Sequence, residues 1–277
     1  MTSNTRYAII STYQKKERSF LKMNIVVFDT ETTSLEKPFV YNIGYAIYDT
    51  ETKTKLVKHD FIVEQIWHNR ELFTTAYYAE KREEYIRRMR GKTCEMKKLG
   101  HITQLMCREF ADFDVQSAFA YNSPFDDKVF EFNCEWFKIK NPFDNIPIFD
   151  IRGYVHNKIA FDKEFKDFCD INDYYTESQN YSTTAETVYR FLTNNTDFIE
   201  EHTALADAEI ELDILLECIN RGCEWNKDYK VYRTIQRVVD KELEIKDVDG
   251  NSHHFYYNRI TNYKEKNNRT KIILKRL

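Results

Sequence analysis

The chain has 277 residues, of which 42% are hydrophobic and 15% aromatic, and its formal net charge is −4. That supplies a core for one large domain, or for a domain with an appendage, and excludes a disordered chain. Six glycines and four prolines leave little material for a long flexible linker. No run approaches the ~20 apolar residues of a membrane span, and the first residues lack a secretory apolar segment. A soluble cytoplasmic protein with no membrane association is expected. The six cysteines (Cys94, Cys107, Cys134, Cys169, Cys218 and Cys223) form no C-x-x-C pair, so reduced thiols are expected.

The charge is unevenly spread. From His253 to Leu277 seven basic residues face one acid, a local +6, so the rest of the chain carries −10. An acidic body with a basic tail suits a metal site accompanied by a separate phosphate-attracting patch; an ordinary solvated terminus is the alternative.

In chain order, residues 1–22 are polar and basic. Residues 23–29 form a short β-branched run ending at Asp29, the pattern of a buried strand. Residues 41–49 and 55–63 read as the next two strands, and three strands in succession before any helix suggest a mixed sheet begun by a meander. Residues 68–110 read as mostly helical with a break at Gly91. Lys81–Glu84 and Arg87–Arg90 give that stretch a charged face; Phe73, Tyr77, Ile86 and Met89 give it an apolar one. A small-residue strand over 117–121, a helix over 124–137 and a strand over 146–150 follow, then helices over 185–192 and 204–220. Beyond Gly222 the pattern changes: 231–245 suggests a helix, and Asp249-Gly250 a turn opening a hairpin through 254–257.

Three separated blocks carry chemistry: Phe28-Asp29-Thr30-Glu31-Thr32, Asn122-Ser123-Pro124-Phe125-Asp126, and His202-Thr203-Ala204-Leu205-Ala206-Asp207. Residues i and i+2 of a strand point the same way, so Asp29 and Glu31 can reach one site. Hard cations such as Mg²⁺ favour such oxygen ligands. Asp126 also reads as the acid of a capping box with Ser123 as N-cap and Pro124 at the first helical position. His202 and Asp207 would lie ~140° apart on one ideal helix. With Thr203 as N-cap, however, His202 sits on the entering loop and Asp207 in the first turns, and the two can converge.

Together the blocks resemble those of the DEDD-type 3′→5′ exonucleases, in the histidine-bearing DEDDh subgroup of the epsilon proofreading subunit, RNase T and oligoribonuclease. The third block matches the His-x-Ala-x-x-Asp-Ala pattern in full through Ala208, and the second continues to Phe130. The resemblance spans residues 23–222 and implies an α/β RNase H-like mixed sheet flanked by helices. It implies two divalent cations, Mg²⁺ or Mn²⁺, held by Asp29, Glu31, Asp126 and Asp207, with His202 as general base. Thr30, Thr32, Asn122 and Phe125 would contact substrate. The implied reaction is release of nucleoside monophosphates from the 3′ end of single-stranded DNA. The alternatives are an exoribonuclease and a non-catalytic nucleic-acid- or partner-binding protein on a nuclease scaffold. Against the family pattern, residues 68–100 form a helical enlargement, 1–22 an N-terminal extension and 223–277 a basic C-terminal appendage. The enlargement or appendage could dock a polymerase or other protein, and homodimers occur in such families. The richness in Lys, Asn, Ile and Tyr is what AT-rich genomes encode, which suits a bacteriophage or low-GC bacterial protein acting in the bacterial cytoplasm.

Overall fold

The computed structural model describes residues 23–76, 78–246, 252–260 and 274–275. The extension over 1–22 and Tyr77 lie outside the described residues. The chain opens with strands β1 (Asn24–Thr32), β2 (Val40–Asp49) and β3 (Thr54–Val63). Helices α1 (Glu64–His68) and α2 (Arg70–Phe73), a 3-10 turn at Ala79–Lys81 and α3 (Arg82–Arg90) follow. Next come β4 (Glu95–Lys97), α4 (Leu99–Asp112), β5 (Val115–Ala120), α5 (Ser123–Phe137) and β6 (Ile148–Asp150). Helices α6 (Ile151–Lys158), α7 (Lys163–Asn172), α8 (Ala185–Thr193) and α9 (Ala204–Asn220) complete the α/β body.

The main sheet has the order β4-β3-β2-β1-β5-β6, and β2 alone runs against the other strands. With helices on both faces this is the expected mixed α/β sheet. The central strand β1 is apolar on both faces, which is why its sequence reads as a continuous hydrophobic run. Val26 and Phe28 enter one core with Tyr85 of α3, Met106 of α4 and Phe130 of α5. Ile25 and Val27 enter the other with Tyr154 of α6, Phe165 of α7, Val188 of α8 and Leu215 of α9.

Register then creates an opening. The pairing of β1 with β5 ends at Val27 opposite Phe119, while pairing with β2 continues through Asp29 opposite Gly44 and Glu31 opposite Asn42. The last residues of β1 therefore project past β5, at the carboxyl edge where open α/β sheets form crevices.

Two expectations need correction. The stretch 231–245 is not a helix: residues from 238 form β7 (Val238–Lys246), paired antiparallel with β8 (Ser252–Ile260) and extended by β9 (Leu274–Lys275). Val238-Val239-Asp240-Lys241-Glu242-Leu243-Glu244-Ile245 alternates after its first valines, and that period of two, not the helical one, governs. The hairpin expected about Asp249-Gly250 is present, though the turn itself lies outside the described residues. In the enlargement, the break at Gly91 occurs, but Glu95–Lys97 adds an edge strand beside β3 that the charged sequence conceals. No described helix is long and apolar enough to cross a membrane. The six cysteines are unpaired, five of them buried.

Candidate active site

A cavity of about 250 Å³ opens at the carboxyl end of β1, lined by Asp29, Thr30, Glu31, Tyr121, His202 and Asp207, with Tyr78, Ala185, Glu200 and Glu211 completing it. Two strand positions deliver the first acids. Asp29 and Glu31 point to the α9 face, as the alternation requires, while Thr30 between them points to the α5 face. There its hydroxyl donates to Asp126 Oδ1 at 2.6 Å. Carboxylate oxygens of Asp29, Glu31 and Asp207 all lie within 4.8 Å of one another.

Asp126 is 2% exposed and stands apart from that trio, behind Thr30. Its helix begins differently from the expectation. Asn122, with φ of 63°, holds the cap position, and neither it nor Ser123 forms the side-chain cap of a capping box. The turn is instead held from outside: Asp150 Oδ1 accepts from the backbone nitrogens of Asn122 and Arg152, each at 2.9 Å.

Helix α9 begins where expected, after Thr203, yet the Thr203 side chain does not cap it. Asn42 of β2 does so, its Oδ1 accepting from the Ala204 nitrogen at 2.9 Å and from the Tyr85 hydroxyl at 2.9 Å. The Asn42 amide donates to Asp60 Oδ1 at 2.6 Å; Asp60 Oδ2 receives Arg88, which also donates to Thr203 Oγ1, both at 2.6 Å. Every buried group in this network has a partner, the condition under which such networks rigidify a structure. Two residues of the enlargement, Tyr85 and Arg88, thus fix the loop that carries His202.

His202 sits immediately before the helix in a left-handed conformation, φ 46°. Such a backbone is costly for a side-chain-bearing residue, and strain of this kind gathers at functional sites. Its ring stacks on Tyr78 at 4.4 Å between centroids, and Nδ1 lies 3.8 Å from Glu200 Oε2. Burial, then the cation of Lys81, lowers its pKa below the usual imidazole value, so the neutral base is the stable form near neutrality.

Glu211 and Glu200 were not singled out from sequence. Glu211 lies one helical turn beyond Asp207, on the same face; it is 4% exposed and accepts from the Tyr121 nitrogen at 3.0 Å. An acid four residues after Asp207, flanked by Ile210 and Leu212, was the available signal. The crowding is electrostatically expensive. Burial, followed by the charges of Asp126, Glu211, Asp207 and Glu31, raises Asp29 well above its usual range; Glu31 and Glu211 are raised too, again chiefly by burial. Asp207 is pushed up to about 8 by burial and by Glu200, against the opposing pull of Lys81. Asp126 rises to about 7 through burial, moderated by the Thr30 hydroxyl.

Such a donor set fits a divalent cation. It consists of oxygens, as Mg²⁺ and Mn²⁺ prefer, and Asp207 Oδ1 is buried without a hydrogen-bond partner among the described residues. Of the expected substrate contacts, Thr30 lines this cavity and Asn122 a neighbouring one. Phe125 packs partly buried against the first core, and Thr32 Oγ1 donates to the Ser34 carbonyl at 3.4 Å; neither lines either of these two cavities.

No protein-family model matches this chain, and no curated protein matches it. Among solved structures, the chain is similar to the nuclease domain of 3'hExo, described as a DEDDh family member, bound to rAMP. That likeness has 10% identity and a TM-score of 0.49 and covers 78% of this chain and 99% of that one. The chain is also similar to E. coli exonuclease I in complex with a dA16 oligonucleotide, at 16% identity and a TM-score of 0.44, over 71% of this chain and 41% of that one. Both of these structures are named as nucleases, the first as a DEDDh family member.

Proposed function

We propose that the chain is a metal-dependent 3′→5′ exonuclease that hydrolyses single-stranded DNA to nucleoside monophosphates. The observation that carries this reading is the meeting of Asp29, Glu31 and Asp207 oxygens within 4.8 Å, in a cavity that His202 also lines. Asp29, Glu31 and Asp207 would hold cations, Mg²⁺ or Mn²⁺, with Asp126 supporting from behind Thr30. When bound, two such ions supply Lewis acidity and charge neutralisation at a phosphodiester.

The chain's own residues do the remainder. His202, neutral and reached from the cavity, accepts the proton of the attacking water. Tyr78 stacked on its ring and Glu200 near Nδ1 hold its orientation. The backbone of Thr30 and Glu31 borders the space for a terminal nucleotide. All four acids and the histidine are present, which favours an enzyme over a non-catalytic binding protein on the same scaffold.

An end-labelled digestion tests this. DNA and RNA strands of one sequence, labelled at either end, are incubated with Mg²⁺ or Mn²⁺, with Asp29→Ala as control. Stepwise shortening of DNA from the 3′ end, lost in the variant, is expected. Faster shortening of RNA would make the enzyme an exoribonuclease, and binding without cleavage of either would overturn the catalytic reading.

A further inference from the structure

A second cavity, of about 290 Å³, adjoins the acidic one and shares Tyr121 and Ala185 with it. Its polarity is opposite. Arg152 of α6 and Arg233, from the segment beyond Gly222, line it together with hydroxyls such as Thr176 and Thr183. Arg152 Nε is buried with no hydrogen-bond partner among the described residues, and Arg152 forms no ion pair among them. Asp150 lies close enough to attract Arg152 but forms no ion pair with its guanidinium; Asp150 Oδ1 accepts instead from the Asn122 and Arg152 backbone nitrogens. Asn180, 1% exposed, also lines this cavity, and its Oδ1 has no partner among the described residues.

The walls are pinned rather than loosely apposed. His156 is 1% exposed; its Nδ1 accepts from the Tyr232 nitrogen at 2.9 Å, which leaves Nε2–H to donate to Thr183 Oγ1 at 3.2 Å. One imidazole therefore ties the segment carrying Arg233 to the wall carrying Thr183. The Tyr121 hydroxyl donates to the Thr183 carbonyl at 2.6 Å, and the Tyr181 nitrogen to the Ile235 carbonyl at 3.0 Å. Gly153 lets the Tyr229 carbonyl approach so closely that a Cβ would lie 2.4 Å from it.

We propose that this cavity is a subsite for an upstream nucleotide of the single strand whose 3′ end occupies the acidic cavity. Arg152 and Arg233 hold its backbone phosphate, and Asn180 accepts a hydrogen bond from its base or sugar. The two unsatisfied groups select the occupant: Arg152 Nε needs an acceptor and Asn180 Oδ1 a donor. A phosphodiester with its nucleoside offers both, whereas a bare phosphate dianion offers only the first. Two guanidiniums beside a carboxylate cluster would also draw the strand across the acidic rim, which repels it. This subsite rests on the exonuclease reading and adds a role for the C-terminal segment.

The test uses the full chain, with Arg152→Gln/Arg233→Gln and, because Arg233 is exposed and its replacement spares the fold, Arg233→Gln alone. KM is measured on single-stranded oligonucleotides of increasing length over a range of salt. In the wild type KM falls as the strand lengthens past the terminal nucleotide. In the double variant that fall shrinks by about tenfold, and the log–log salt slope drops by ~1.4, or ~0.7 in the single variant. Adenosine monophosphate is added as competitor; inhibition equal in all three proteins assigns the cavity to the strand. Inhibition lost in the variants would hand it to the released product and overturn the proposal. So would hydrolysis with unchanged length and salt dependence. If the wild type hydrolyses nothing, fluorescence anisotropy of a labelled strand reads the same slopes. A drop there keeps the subsite and removes the nuclease reading, and identical slopes remove the subsite as well.

Discussion

Gly44 of β2 lies so close to Leu205 of α9 that a Cβ on the glycine would stand 2.0 Å from the Leu205 nitrogen. Gly44 is also the cross-strand partner of Asp29. The first turn of α9 can rest on the sheet only because this position has no side chain, and that contact brings Asp207 over Asp29.

Gly44→Ala should therefore damage fold and site together. The obstruction is backbone rather than a movable side chain, so the cost should reach or exceed about 3 kcal/mol, a fall in Tm of roughly 6–12 °C. Nuclease activity should vanish as Asp207 moves away. A variant melting within a degree or two of the parent, with activity intact, would show that the contact is not made.

Asn42→Ala removes an acceptor from the Ala204 nitrogen and the Tyr85 hydroxyl and a donor from Asp60. We expect a loss of about 2–4 kcal/mol by denaturant titration. A double-mutant cycle with Arg88→Met should give a coupling of about 1–3 kcal/mol, because both residues hold Asp60. Additive effects would mean that the enlargement and the His202 loop are independent.

The acidic cavity predicts that function and stability oppose each other. Asp29→Asn relieves charge repulsion at a buried site. It should abolish activity, yet raise stability in chelator by about 1–2 kcal/mol. Destabilisation in chelator would contradict the electrostatic account.

Cation binding should show a defined pH dependence. With Asp207 near 8 and Asp126 near 7 in the folded chain, against usual values near 4, the native state binds more protons than the unfolded one across that interval. Stability in chelator should thus be highest in acid as far as these groups are concerned, and fall as pH rises toward 8. Saturating Mg²⁺ should raise Tm more at pH 8 than at pH 5.5. His156 works in the opposite sense. Burial lowers it to about 4, so its contribution is complete above about 6.5 and is lost as pH falls toward 4. The stability difference between wild type and His156→Gln should shrink over that window, and a pH-independent difference would refute the buried neutral imidazole.

His202→Ala should slow hydrolysis by about 10²–10⁴-fold while leaving Tm nearly unchanged, since the ring lies on a loop and alanine inherits the same left-handed backbone. Near-normal turnover would remove it as the base.

Much of the body was legible because its signals are local. The β1 run, the Asp-x-Glu spacing and the apolar periodicity of 204–220 each depend on a few neighbouring residues. The capping of α9 was not legible: Asn42 meets Ala204 across a long separation in sequence, while Thr203, the local candidate, is occupied by Arg88. Asp126 reads as a capping acid until Thr30 claims its oxygen from another element. Glu211 was hidden for a related reason: an acid among apolar helical residues looks like an exception until Tyr121 supplies its donor. The helix expected over 231–245 failed because charged, alternating segments carry helical and strand preferences of similar strength.

Strand parity offers a way to separate folding from catalysis. Because β1 presents large apolar side chains to both cores, sliding it by one residue would exchange Val26 and Phe28 for Ile25 and Val27 with little change in hydrophobic content. The same slide would turn Thr30 into the cavity and send Asp29 and Glu31 toward α5. Besides the seat of Phe28 among Phe130 and Phe143, what distinguishes the two alignments is the polar end of the strand, where Thr30 meets Asp126. That hydrogen bond acts as a frame marker, telling a strand that is greasy on both sides which of its faces is to hold the acids.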